Sequence, residues 1–106
     1  MAWAILITAG VFETVWAYYM KLSDGFSRPG ATLVTFAAMA VSIGLLGIAM
    51  KSLPVGTAYA VWVGVGAVGT AILGIVLLGE PANAGRMISL ALILAGIIGL
   101  KLATPG

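Results

Sequence analysis

Glu13 lies inside a long apolar run, Ala2 to Met20. At about 1.5 Å of helix rise per residue it is on the order of 10 Å or more from either end of that run. An ionisable side chain at such depth costs roughly 2.5–3.5 kcal/mol on insertion scales, so it is expected to face a cavity or a partner rather than lipid. Lys21, Lys51, Arg86 and Lys101 all stand at the ends of apolar runs, where they reach water. No basic residue inside the hydrocarbon region is available to neutralise Glu13. A carboxyl withdrawn from water with no fixed cation beside it favours its neutral form, and an arriving cation favours the ionised form. One group can then hold a proton or a cation in turn. The plainer alternative is a protonated Glu hydrogen-bonded within a helix contact.

At helical spacing the stripe through Glu13 reads Leu6, Gly10, Glu13, Trp16 or Ala17, and Met20. Gly10 removes bulk one turn away, and Trp16 brings an indole face beside the carboxylate. A planar cation would gain charge-assisted hydrogen bonds from the acid and a cation–π contact from the ring, although Trp16 alone is equally well an ordinary packing residue. Ser42 in the second apolar run, with Tyr59 and Trp62 in the third, can each donate a hydrogen bond. A membrane serine often bonds its own backbone instead. Trp3, Tyr18 and Tyr19 fall near run ends and are expected to be interfacial anchors.

Gly64, Gly66 and Gly69 match the dinucleotide-binding spacing G-x-G-x-x-G, but that motif needs a preceding strand and a loop opening into a helix. In an apolar run the same glycines let backbones approach closely or let the helix bend. Gly96 and Gly99, with Ser89 and Ala95, similarly point to a close helix contact, between subunits or within one.

The elements that must position these residues follow from composition. Of 106 residues, 62% are apolar and 8% charged, against roughly 25% charged in a soluble domain. The chain is expected to form one membrane domain over 1–106, with helices at about 2–21, 31–50, 56–79 and 84–103. The fourth has only about 14 uncharged residues from Met87 to Leu100, and Arg86 and Lys101 extend it by reaching to the interface. Pro29, Pro54, Pro81 and Pro105 fall between or after the runs, where a missing N–H does least harm. The short connections are expected to make consecutive helices antiparallel neighbours. No cleaved targeting segment is expected at the start, and no domain outside the membrane.

Five scattered cations give no track for nucleic acid, and the absence of Cys and His removes disulfides and the usual metal sites. No nucleophile–base pair can be assembled, so neither enzyme activity nor a cofactor is expected. Lys51 and Lys101 fall on one side of the membrane and Lys21, Arg28 and Arg86 on the other. An excess of one cation leaves open both a fixed topology and insertion in two orientations.

The segments GVFETVWA around Glu13, DGFSRP from Asp24, KSLPVGTAYAVW from Lys51 to Trp62, GAVG from Gly66 and GIIGLKL from Gly96 resemble the small multidrug resistance transporters along the whole chain. The guanidinium exporter subtype is the nearer likeness. The resemblance implies an antiparallel dual-topology homodimer in a bacterial cytoplasmic membrane, with both copies of Glu13 binding cation and protons competitively. It also implies that Gly10, Trp16, Ser42, Tyr59 and Trp62 surround the paired carboxylates, with Ser42 and Trp62 bonding to Glu13 or beside it. Ser89, Leu90, Leu92, Ile93 and Gly96 fall on the family's dimer-contact pattern, where Ser89 replaces the usual Gly. Val63 stands where many guanidinium exporters carry Thr, and Tyr18 and Tyr19 are bulkier than the residues expected there.

The expected activity is proton-coupled export of guanidinium or a small guanidinyl cation. Export of quaternary ammonium compounds, a subunit role in a heterodimer and a non-transporting scaffold are the alternatives. A structural protein would not need an acid at mid-membrane, and a four-helix protomer has little interior room, so a second copy is expected to complete the cavity.

Overall fold

The computed structural model describes residues 1–104, so Pro105 lies outside the described residues. It contains four helices, α1 (Ala2–Leu22), α2 (Pro29–Ala49), α3 (Val55–Leu78) and α4 (Ala84–Ala103), and no strand among those residues. Each is long and apolar enough to cross a membrane.

The helix ends follow local chemistry. Pro29 opens the first turn of α2, so that helix begins there rather than at Ala31; a proline at this position gives up an N–H that has no helical partner anyway. Ser23, fully buried, holds the α1–α2 turn by donating to the Met20 carbonyl at 2.7 Å and accepting the Phe26 N–H at 3.1 Å. Asp24, Gly25 and Phe26 pass through that turn with positive φ, and Phe26 then stacks on Phe36 at 5.6 Å. α3 stops at Gly79, whose left-handed φ of 71° lets the Glu80 N–H return to the Gly74 carbonyl at 3.0 Å. Asn83 caps α4 by accepting the Arg86 N–H at 2.9 Å.

α1 packs against both α2 and α3, α4 packs against α3, and α2 meets α3 only sparsely. The order in space is therefore α2–α1–α3–α4, a slab of 43 × 34 × 17 Å. The expectation that consecutive helices are neighbours is corrected at the α2–α3 junction. Their short loop forces them to reverse direction, but α1 fits between them.

The core sits at one end. Trp3, Leu6 and Ala9 of α1 interlock with Leu46 and Ala49 of α2, Leu53 of the following loop, and Ala58, Val61 and Trp62 of α3. Every buried residue of α1 lies between Trp3 and Gly10, whereas from Phe12 onward the helix is only partly covered. α1 and α3 thus pack tightly at the end containing the α2–α3 loop and leave space between them at the other. Trp3 is not the interfacial anchor expected of it. It belongs to the core, with the Lys101 ammonium 4.9 Å from its ring centroid, which ties α4 to this packed end.

No residue of α4 is buried. Gly96 and Gly99 have open space where a side chain would project, so neither makes a close helix contact within this chain.

Leu6→Ala would leave a hole in the cluster. It is expected to cost about 2–5 kcal/mol and to lower the melting temperature in detergent, whereas Leu33→Ala on the exposed face of α2 leaves that temperature unchanged.

Candidate functional site

Glu13 projects from the partly covered half of α1 onto α3. Its carboxyl lies directly on the backbone of Gly66, where any Cβ would overlap it, and Oε1 is buried with no hydrogen-bond partner. The next residue repeats the arrangement one turn along: Thr14 occupies the space above Gly69, with its hydroxyl 3.4 Å from the carbonyls of both Gly10 and Gly66. Gly10 serves the same contact from the α1 side, since a Cβ there would come within 2.6 Å of Val65. Gly64 faces the other way and receives Ile97 and Ile93 of α4. The α3 glycines therefore act here as close-approach positions. α3 itself is a single uninterrupted helix through all three.

Ser42 and Trp62 do not bond Glu13. The Ser42 hydroxyl donates to the Ala9 carbonyl at 2.6 Å and accepts from Trp62 Nε1 at 2.9 Å, joining α2, α1 and α3 in one buried chain. Ser42 thus bonds across helices rather than to its own backbone. The chain sits one turn from Glu13 and fixes the rotation of α1 against α3. Tyr59 packs its ring 5.6 Å from that of Trp62 and is half exposed. Trp16 is half-buried, and its Nε1 is a buried donor with no partner.

Beside Glu13 opens a cavity of about 560 Å³, running between α1 and α3 toward the loosely packed end. Val63, Gly66, Ala67 and Thr70 wall its inner part, and Tyr18, Lys21 and Glu80 stand at its mouth. Gly10, Trp16, Ser42, Tyr59 and Trp62 lie outside this lining; they pack the elements that carry it or stand on other faces. Sequence reasoning missed Thr70 and Glu80. Glu80 had a signal, being one of only three acidic residues in the chain, but its place between two runs gave no hint that it turns back toward the cavity. Among the described residues no three metal-ligating side chains cluster.

Of the residues expected at a subunit contact, Ser89, Leu92 and Gly96 are exposed on α4, Leu90 is half-buried, and Ile93 faces Gly64 within the same chain.

Ser42→Ala would strand the Trp62 indole N–H in the core. A loss of about 1–3 kcal/mol in unfolding experiments is expected, with a shift in tryptophan emission. Gly66→Ala is expected to displace the Glu13 carboxyl from α3 and to lower the melting temperature in detergent, with helix content unchanged by circular dichroism.

The family described as Small Multidrug Resistance protein matches residues 1–93. The Guanidinium exporter of Yersinia pseudotuberculosis is 65% identical over 104 residues, covering 98% of this chain and 100% of that protein. The Guanidinium exporters of Escherichia coli and Citrobacter freundii are 64% and 59% identical, each over 98% of this chain and 99% of their own length. With four membrane-spanning helices and a family match over nearly its whole length, this chain belongs to the small multidrug resistance family of integral multi-pass membrane proteins.

Proposed function

We propose that the chain is a proton-coupled antiporter, and not an enzyme, that exports guanidinium or a small guanidinyl cation across a bacterial inner membrane through Glu13. The observation that carries this is the Glu13 carboxyl itself, whose Oε1 is buried without a partner beside a cavity large enough for a small organic ion. A planar cation offers such an acid paired N–H donors in the geometry that charge-assisted bonds favour. Relatives at 59–65% identity that are named for guanidinium export support the same cargo.

In this reading a proton and the cation compete for one carboxylate. Protonation discharges the cation on the acidic side, and arrival of cytoplasmic cation displaces the proton. Ser42 and Trp62 set the position of α1 on α3, Gly10 and Gly66 let the carboxyl seat, and flexing at Gly64, Gly66 and Gly69 moves the cavity between the two sides. Trp16 and Tyr59 complete the cation site in the assembled dimer. A second, antiparallel copy covers the open side of the slab, meeting the first through Ser89, Leu90, Leu92, Ile93 and Gly96. Support for that copy comes from the absence of any buried residue on α4.

The apolar wall formed by Val63 and Ala67 favours a second reading, export of quaternary ammonium compounds, which cannot donate hydrogen bonds and gain chiefly from apolar surface. Transport currents with guanidinium and with tetrapropylammonium separate the two.

Glu13→Gln is expected to abolish proton-driven guanidinium uptake in proteoliposomes; undiminished uptake overturns the proposal. The cation binds the ionised acid, so competition has a fixed sign. As pH falls through the titration of Glu13, apparent affinity for guanidinium drops, by about tenfold per pH unit in the limit of one competing proton. Calorimetric titration across pH measures that slope, and a flat profile contradicts it.

A further inference from the structure

A second carboxylate stands at the mouth of the Glu13 cavity. α3 carries two glycines on which acids rest: a Cβ at Gly66 would overlap the Glu13 carboxyl, and a Cβ at Gly74 would overlap that of Glu80. Eight residues of helix separate these seats by about 12 Å along α3, and one cavity joins them. Glu80 reaches back because Gly79 turns left-handed and the Glu80 N–H returns to the Gly74 carbonyl. The placement is thus set by the backbone as well as by the side chain.

Glu80 Oε1 accepts a hydrogen bond from Arg86 Nη2 at 3.1 Å. Arg86 lies in the first turn of α4, capped by Asn83. Its head group is a guanidinium, the class of ion assigned above to Glu13. The pair is open to water, with side-chain exposures of 33% for Arg86 and 44% for Glu80, and exposed pairs of this kind are weak enough to exchange. Lys21 stands at the same mouth from α1. An entering cation therefore meets two positive side chains in this region, and Glu80 is the group at the rim that attracts it.

We propose that Glu80 is an outer recruiting site for the cation, held ready by Arg86 as a resident guanidinium that the incoming ion displaces before moving inward to Glu13. This rests on the guanidinium reading of Glu13. One guanidinium replaces another on the same carboxylate, so Glu80 stays paired, while the freed Arg86, still anchored on α4, joins Lys21 as an uncompensated positive charge that favours passage of the cargo inward. Glu80 offsets one of the two positive charges at the mouth, so without it an arriving cation meets a stronger repulsion, which salt screens.

The test measures guanidinium-driven currents from proteoliposomes containing wild type, Glu80→Gln, Arg86→Gln and the double variant, each at low and high salt. Glu80→Gln is expected to raise KM about three- to tenfold at low salt, to keep the maximal current, and to make KM fall more steeply with added salt than in wild type. Arg86→Gln removes the resident competitor and is expected to lower KM, while the double variant, without the carboxylate, keeps a KM above that of wild type. Glu80→Asp keeps the charge and is expected to retain the salt dependence, which provides the readout should Glu80→Gln fail to fold. If the pair merely latches the α3–α4 turn, both single variants move KM in the same direction; that outcome, or a KM unchanged in Glu80→Gln, overturns the proposal alone. A wild type silent to guanidinium overturns the reading of Glu13 and this proposal with it.

Discussion

The seating of the Glu13 carboxyl on the bare backbone of Gly66 requires α1 and α3 to approach more closely than ordinary side chains permit, and much of the remaining structure serves that approach. Gly10 clears the space for Val65 from the opposite side, and Thr14 fits over Gly69 one turn along. The Ser42–Trp62 pair then fixes how α1 is rotated, because Ser42 bonds a carbonyl of α1 while Trp62 bonds Ser42. Lipid tails are as apolar as leucine, so hydrophobic burial cannot hold these helices together as it would in water. Small residues in close contact and a few satisfied polar bonds take its place.

The same packing explains why a cavity exists. Large side chains interlock between Trp3 and Gly10 on α1 and their partners on α2 and α3, and that end is closed. Farther along, α1 offers Glu13, Ala17 and Lys21 to α3, and the helices leave room between them. Glu13 is located where the closed part gives way to the open part. An acid at this boundary is partly covered by protein and also borders the cavity.

α4 answers a different need. It covers Gly64 with Ile93 and Ile97 and is tied to Trp3 through Lys101, but none of its residues is buried. A helix with so little cover inside its own chain is suited to meeting other hydrophobic surface, whether lipid or protein. The α3–α4 turn, meanwhile, carries the only salt bridge among the described residues and puts it at the cavity entrance. The two carboxylates thus rest on one helix, α3, with a glycine beneath each.

Four membrane spans, a lone acid deep in the first of them and the family resemblance were all readable from residue order, because hydropathy over about 20 residues and the cost of a charge in lipid are local properties. α3 stops at Gly79 and Asn83 caps α4 beside the ends expected of them, whereas α2 begins at Pro29 rather than at Ala31. Pairings were not readable. That Ser42 bonds Ala9 and Trp62 rather than Glu13, that Trp3 is core rather than anchor, that α1 separates α2 from α3, and that Glu80 returns to the cavity mouth all depend on how each helix is rotated and shifted against its neighbours. Rotation and shift are set by which small residue receives which large one across a helix contact, and a linear pattern with several glycines in one span allows more than one such match.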